Sequence, residues 1–360
     1  MNVHIGIAGA GLAGRTLAWR LARSGSRVSL FDAKSRDDLA SASQTAAAML
    51  SPLAELAVSD DAVFELGERS MQLWPRWIAE LAEHSGQSVY FRQDGTLVVA
   101  HVQDQSSLEH FTRLLNHKLP ESSRAKVQTL DAAALGRVEP ALASRFGGGL
   151  YLQGEGQLAN DQWMAALALE LDRLGVQWHE GKTVEVVEQK RIVCAGQTHT
   201  VDIAVDARGV GSKSAWPQLR GVRGEVLRVE CEGVSLQRPV RLMHPRYQLY
   251  VAPRPGNQFV VGATELESED SGPVTVRSVL ELASALHSLH PAFGEARVLR
   301  MSAALRPALD DHRPAIRQRE GVWHINGLYR HGYLCAPALV DDLAHKLVES
   351  VNLETAVDRL

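Results

Sequence analysis

Apolar positions along the chain switch between two periods, and the switches lay out the elements. Val3-His4-Ile5-Gly6-Ile7-Ala8 is a short apolar run, the pattern of a buried strand, and it leads directly into Gly9-Ala10-Gly11-Leu12-Ala13-Gly14. Leu12, Ala13, Leu17, Ala18, Leu21 and Ala22 then recur at the spacing of a helix with one buried face. Ser24-Gly25-Ser26 ends that helix, and Val28–Phe31 is a second strand closing on Asp32. Further on, Leu66–Ala82, with Met71, Leu73, Trp74 and Trp77, predicts a helix, and Gly95–Ala100 a strand. Gln162–Leu174 predicts another helix, with Trp163, Leu167 and Leu171 on one face. Val184–Val187 and Asp202–Ala207 predict strands, the latter entering the turn Arg208-Gly209-Val210-Gly211-Ser212. The middle of the chain is β-rich: Val222–Val229, Tyr247–Ala252 and Gln258–Gly262 are strands, separated by turn residues such as Arg254-Pro255-Gly256-Asn257, and they suit a sheet roofing a ligand. Val322–Asn326 and a helix after Pro337 complete the pattern, which contains no internal repeat.

Composition narrows the class. With 360 residues, 45% of them hydrophobic, the chain is too apolar to be disordered and long enough for about two domains. Its 38 basic and 42 acidic side chains leave a net charge of −4, which argues against a protein built to grip nucleic acid. Cys194, Cys231 and Cys335 are odd in number and widely spaced, as expected in a reducing compartment. No run of about 18 apolar residues is present and the N-terminus lacks signal-peptide character, so a cytoplasmic protein without a membrane span is expected. His287 and His290 have helical spacing but no third ligand, so no metal is expected.

The first thirty residues carry the strongest chemical signal. In Gly9-x-Gly11-x-x-Gly14, the first glycine permits the tight turn, the second lets backbone approach a pyrophosphate, and the third lets the helix pack on the strand. The helix N-terminus then presents unpaired amides to phosphate. Asp32, eighteen residues past Gly14, is placed to accept from a ribose hydroxyl, and an acid there disfavours a 2′-phosphate, leaving FAD or NAD.

Ser41-Ala42-Ser43-Gln44-Thr45-Ala46-Ala47-Ala48-Met49-Leu50 is a run of small residues that suits either close backbone approach to a bulky ligand or an Ala-rich core helix. It resembles the flavin-contacting run of the D-amino-acid oxidase and glycine oxidase superfamily. Four later stretches extend the resemblance in the family's order: Val222-Arg223-Gly224-Glu225-Val226, then Tyr250–Arg254 running on to Val260–Thr264, then Ala304-Leu305-Arg306-Pro307, and Gly327–Pro337. The similarity covers nearly the whole chain and is nearest to the glycine oxidase branch involved in thiamine biosynthesis.

This resemblance implies an α/β fold in which a Rossmann-like FAD domain of the glutathione-reductase type is interleaved with an α+β substrate domain carrying a mostly antiparallel sheet. The expected FAD segments are 1–83, 145–215 and 298–360, and the substrate segments 84–144 and 216–297. FAD would contact Gly9, Gly11, Leu12, Ala13, Gly14, Asp32 and Ala33 at its nucleotide end, and Ala42, Ser43, Ala47, Ala48 and Met49 along the small-residue run. Val184 and Gly209 would flank it, and Leu328, Tyr329, Arg330, His331, Gly332, Tyr333 and Leu334 would close the site. Relatives that tether flavin use a cysteine beside the segment equivalent to Met301–Arg306, and none stands there, so the FAD is expected to be non-covalent.

The implied activity is oxidation of a small amino acid, glycine, sarcosine or a small D-amino acid, by hydride transfer to flavin, with oxygen or another electron acceptor and no side-chain base. A planar guanidinium binds carboxylate bidentately, and the resemblance places Arg306 in that role with Tyr250 and Arg330 assisting. The alternative for any such arginine is pairing with Asp310 or Asp311. A dehydrogenase using a quinone or protein acceptor, a tRNA-modification-type FAD enzyme and a non-enzymatic maturation protein share these motifs, and self-association is compatible with them. Departures from the family pattern fall at Ala48, at Glu265 beside the expected pocket, at Asp310-Asp311-His312-Arg313-Pro314 and Arg317, and at Leu328.

Overall fold

The computed structural model describes residues 3–244 and 249–357, with side chains up to residue 350. Its first layer is a six-stranded sheet in the order Ala315–Arg319, Val322–Asn326, Ile203–Asp206, His4–Ala8, Arg27–Phe31, Gln177–His179. All neighbours are parallel except the hairpin formed by the first two. Parallel strands are covered on both faces, which is why they read as apolar runs rather than alternations. The helices Leu12–Arg23, Asp61–Ser85, Asn160–Arg173 and Gly332–Val357 share one core against this sheet. At its centre Trp19 meets Trp77 and Trp163 edge-on, with ring centroids 5.8 and 5.9 Å apart. The opposite face is covered by the antiparallel strands Val184–Glu188, Arg191–Cys194 and Gln197–Thr200, where Ile192, Cys194 and Val201 pack on Ala8, Phe31 and Ala204.

Two helices are longer than the sequence pattern predicts, for local reasons. Asp61–Ser85 starts where the Asp60 carboxylate accepts from the Ala62 amide at 2.9 Å, and it stops at Gly86, whose φ of +70° suits glycine. The last helix begins at Gly332, five residues before Pro337. A proline inside a helix leaves the carbonyl four residues back without its partner. Here that carbonyl belongs to Tyr333, and the Trp74 indole donates to it at 3.1 Å.

The second layer is an eight-stranded sheet ordered Arg297–Ala308, Arg220–Glu230, Gln258–Gly262, Leu249–Arg254, Val240–Met243, Thr96–Ala100, Gly148–Leu152, Val127–Asp131. Only Thr96–Ala100 and Val240–Met243 pair in parallel; every other neighbour is antiparallel. The helix Val276–Leu289 packs Leu282, Leu286 and Leu289 into one core of this sheet, and Gln105–Lys118 packs Leu108, Phe111 and Leu115 into another. Gly148–Leu152, just after residue 145, and Arg297–Ala308, which spans residue 298, hydrogen-bond into this second sheet. Of the expected strand Tyr247–Ala252, residues 247 and 248 lie outside the described residues; the strand runs Leu249–Arg254. His287 is exposed near the end of its helix, and the His290 ring accepts from the Ala292 amide just beyond. No helix among the described residues is long and apolar enough to cross a membrane.

Candidate functional site

A cavity of about 1110 Å³ lies between the two sheets. At one end it is walled by residues that follow the parallel strands, the position where open α/β sheets bind nucleotides. Gly9 has φ +102°, and a side chain there would overlap the Ala207 carbonyl oxygen. Gly11 has nothing within 4 Å of where a Cβ would stand. The first bond of the helix is donated by the Arg15 amide to Gly11, at 3.0 Å, which leaves the amides of its first residues without intrahelical acceptors. Gly14 does not line the cavity; its Cβ would overlap the Gly9 carbonyl, so it serves helix-on-turn packing. The Asp32 carboxylate accepts from the Ala10 amide at 2.6 Å and from Lys34 at 2.8 Å, which fixes it at the cavity wall with further lone pairs available.

The small-residue run lines the middle of the cavity. It is a single helical turn, Ala42–Thr45, followed not by a core helix but by a turn at Ala48, with φ +49°, into the short strand Met49–Leu50. Its carbonyls are held from behind. Asn160 donates to Ser43 and Gln44, at 2.9 Å each, the Tyr333 hydroxyl donates to Ser43 at 3.0 Å, and Arg254 donates to Ala47. Burial, then the neighbouring Arg228, lowers the Arg254 guanidinium to about 10, so it remains a cation at neutral pH. Ala33, Val184, Gly209 and residues 328–334 complete the wall, so every expected cofactor-contacting residue except Gly14 faces this cavity. An open glycine turn, a free helix N-terminus, an acid at the second strand and a small-residue wall fit an extended dinucleotide.

At the other end stand Tyr250, Thr264, Glu265, Arg306 and Arg330. Arg306 lies flat across Gly224, where any side chain would overlap its guanidinium. Arg306 Nη1 donates to the Thr264 carbonyl at 3.0 Å, and no acid among the described residues pairs with it. Asp310 instead lies 3.7 Å from Arg220, and Asp311 caps the Arg313 amide. The Tyr250 hydroxyl is pressed against Gly262, and burial raises its pKa. Arg330 differs from Arg306: it is 3.3 Å from Glu55 and 3.3 Å from Glu265, so its charge is already matched.

Glu55 and Arg241 are functional candidates that the sequence pattern does not single out. Arg241 pairs with Glu55 at 2.8 Å, and His331 Nδ1 lies 3.4 Å from the same carboxylate. Burial alone would raise Glu55, but Arg330 and Arg241 outweigh it and bring the carboxyl to about 2. Burial lowers His331 to about 4 despite Glu55, so its ring is neutral at pH 7. The available signal was one charge inside the apolar stretch Leu53-Ala54-Glu55-Leu56-Ala57 and one inside Val240-Arg241-Leu242. Arg15 was also missed; it lines the nucleotide end and donates to the carbonyls of Ala10, Met164 and Arg36. Cys335 is fully buried with its thiol raised by burial, and does not face the cavity. No cluster of three metal-ligating side chains exists among the described residues.

The profile of the FAD-dependent oxidoreductase family, DAO, matches residues 4–345. The chain is 40% identical to a protein of Rhizobium etli named as the thiamine biosynthesis oxidoreductase ThiO, over 96% of this chain and 97% of the relative. It is 27% identical to the glycine oxidase of Geobacillus kaustophilus, over 98% of this chain and 94% of that one. The crystal structure of a glycine oxidase from Geobacillus kaustophilus has the same fold, with a TM-score of 0.82 at 24% identity, covering 96% of this chain and 95% of that one.

Proposed function

The chain belongs to the family of FAD-dependent oxidoreductases and is an enzyme of the ThiO and glycine oxidase type, and on that premise we propose that it oxidises a small amino acid, glycine, sarcosine or a small D-amino acid. FAD held in the cavity would supply a hydride acceptor whose reduced form can be reoxidised by oxygen to give hydrogen peroxide, and the imine product would hydrolyse to an oxo acid. The observation that carries this reading is Arg306: a guanidinium in the cavity, flat against Gly224, with one hydrogen bond and no acid partner. A substrate carboxylate would take its remaining donors, with the Tyr250 hydroxyl as a further donor. That anchor fixes the α-carbon relative to the small-residue wall, which is orientation rather than acid–base chemistry. His331, neutral and held beside Glu55, and Arg330 between two acids act as fixed wall. In this reading the substrate domain comprises 84–144 and 216–297 together with Gly148–Leu152 and Arg297–Ala308, and the remainder of 1–83, 145–215 and 298–360 holds FAD.

The test is anaerobic flavin reduction by glycine, sarcosine, D-alanine, D-proline and their L-isomers, followed by peroxide yield in air. Bleaching by at least one small amino acid with stoichiometric peroxide is expected. Bleaching without peroxide replaces oxygen by a quinone or protein acceptor, and no bleaching by any of them rejects the amino-acid assignment.

A further inference from the structure

We propose that Glu265 sets the charge of the substrate end of the cavity, so that the site takes amino acids with one carboxylate and turns away those with two. This rests on the reading of a substrate carboxylate at Arg306. Among the described residues, the guanidinium groups of Arg241, Arg306 and Arg330 line this end, with the carboxylates of Glu55 and Glu265 lying among them. Glu55 bonds Arg241 at 2.8 Å and meets Arg330 at 3.3 Å; the other edge of Arg330 meets Glu265 at 3.3 Å. Arg306 meets neither acid and bonds only the Thr264 carbonyl. Among these described arginines, Arg306 is the one without an acid partner.

Glu265 is fixed in this arrangement. The Tyr329 hydroxyl donates to its Oε1 at 2.6 Å, while Oε2 faces Arg330. Beyond the burial that opposes it, this hydroxyl and the arginines Arg330 and Arg306 hold the Glu265 carboxyl below its usual range, and Tyr329 stays protonated as the donor. His331 is neutral at pH 7 and adds no charge. A monocarboxylate with a neutral amine balances Arg306. A second carboxylate, as in an N-carboxymethyl amino acid, finds Arg330 already paired and meets repulsion from Glu265. The Glu265 side chain is 48% exposed, so solvent screens it and its effect is a preference of several-fold rather than an absolute bar.

The experiment measures acetate and malonate binding to the FAD-loaded enzyme through the change in flavin absorbance, for the wild type, Glu265→Gln and Glu265→Asp. Glu265→Gln is expected to shift the ratio of the two dissociation constants at least about fivefold toward malonate, and Glu265→Asp, which keeps the charge, to stay near the wild-type ratio. An unchanged ratio in Glu265→Gln, or an aspartate variant that behaves like the glutamine one, overturns the proposal. Failure of acetate to bind the wild type is a different outcome: it overturns the carboxylate reading of Arg306 itself.

Discussion

Arg306 and Arg330 are the same residue type on the same cavity wall, and what separates them is what each already touches. Arg330 has two acids, whereas Arg306 has one carbonyl and its flat contact with Gly224. A hydrogen bond to a charged group contributes about 1.5–3 kcal/mol, so Arg306→Leu is expected to raise the KM for the amino acid by about 10- to 100-fold while FAD stays bound at full stoichiometry. Wild-type kcat/KM in that variant would falsify the assignment. Arg306 was legible in the sequence only through the motif Ala304-Leu305-Arg306-Pro307; by residue type alone it was indistinguishable from an arginine paired with Asp310. Glu55 and Arg241 had no such motif. They meet because Pro52–Leu56 and Val240–Met243, nearly two hundred residues apart, reach the same wall, and no local pattern encodes that meeting.

At the scale of elements, the strand, glycine turn and helix at the N-terminus were readable because their determinants are local. The three glycines nevertheless do different work. A Cβ at Gly11 enters open cavity, whereas one at Gly14 overlaps the Gly9 carbonyl, which backbone cannot relieve cheaply. Gly11→Val is therefore expected to fold with a melting temperature near that of the apo wild type and to retain no FAD. Gly14→Val is expected to lose about 3 kcal/mol or more of stability and to lose FAD as a consequence. Thermal unfolding of both apo proteins, with flavin content of the purified forms, separates the two roles; equal stability loss in both sinks the distinction. Element ends were less legible where a distant side chain decides them. Pro337 marks a helix start by sequence convention, yet the helix begins at Gly332 because the Trp74 indole satisfies the carbonyl that proline leaves free. The edge strand Arg297–Ala308 was not legible at all for a similar reason: a strand is settled by the partner it joins, here Arg220–Glu230, and not by its own pattern.

At the scale of the molecule, one buried acid behind the cavity wall ties the helix Pro52–Leu56 to the second sheet, and the chemistry leaves it unused. Glu155 is fully buried; its Oε1 accepts from the Ala54 amide at 2.8 Å, next to Glu55, and its backbone carbonyl accepts from Gly95 at 2.9 Å, at the edge of the second sheet. The Ser51 and Thr96 hydroxyls stand buried beside the same carboxyl. Burial, only partly opposed by Arg241 and by the Ala54 amide, pushes this carboxyl up to about 7. The folded pKa lies above the unfolded value of 4.5, so the folded state holds the proton more tightly. Its stabilising contribution is complete below pH 4.5, declines as pH rises and is lost above about 7. A shift of that size corresponds to about 3 kcal/mol. His331 and Glu55 run the other way, their contributions being lost as pH falls below their ordinary ranges, but both are shared by any Glu155 variant and cancel in a comparison. Glu155→Gln copies the shape of the protonated acid and does not titrate. Relative to the wild type it is expected to gain up to about 3 kcal/mol between pH 5 and pH 8 in urea unfolding, with the steepest change near pH 6. A stability difference that stays constant across that range would mean that Glu155 is ionised throughout, and that this contact between helix and sheet is held by a charge rather than by a proton.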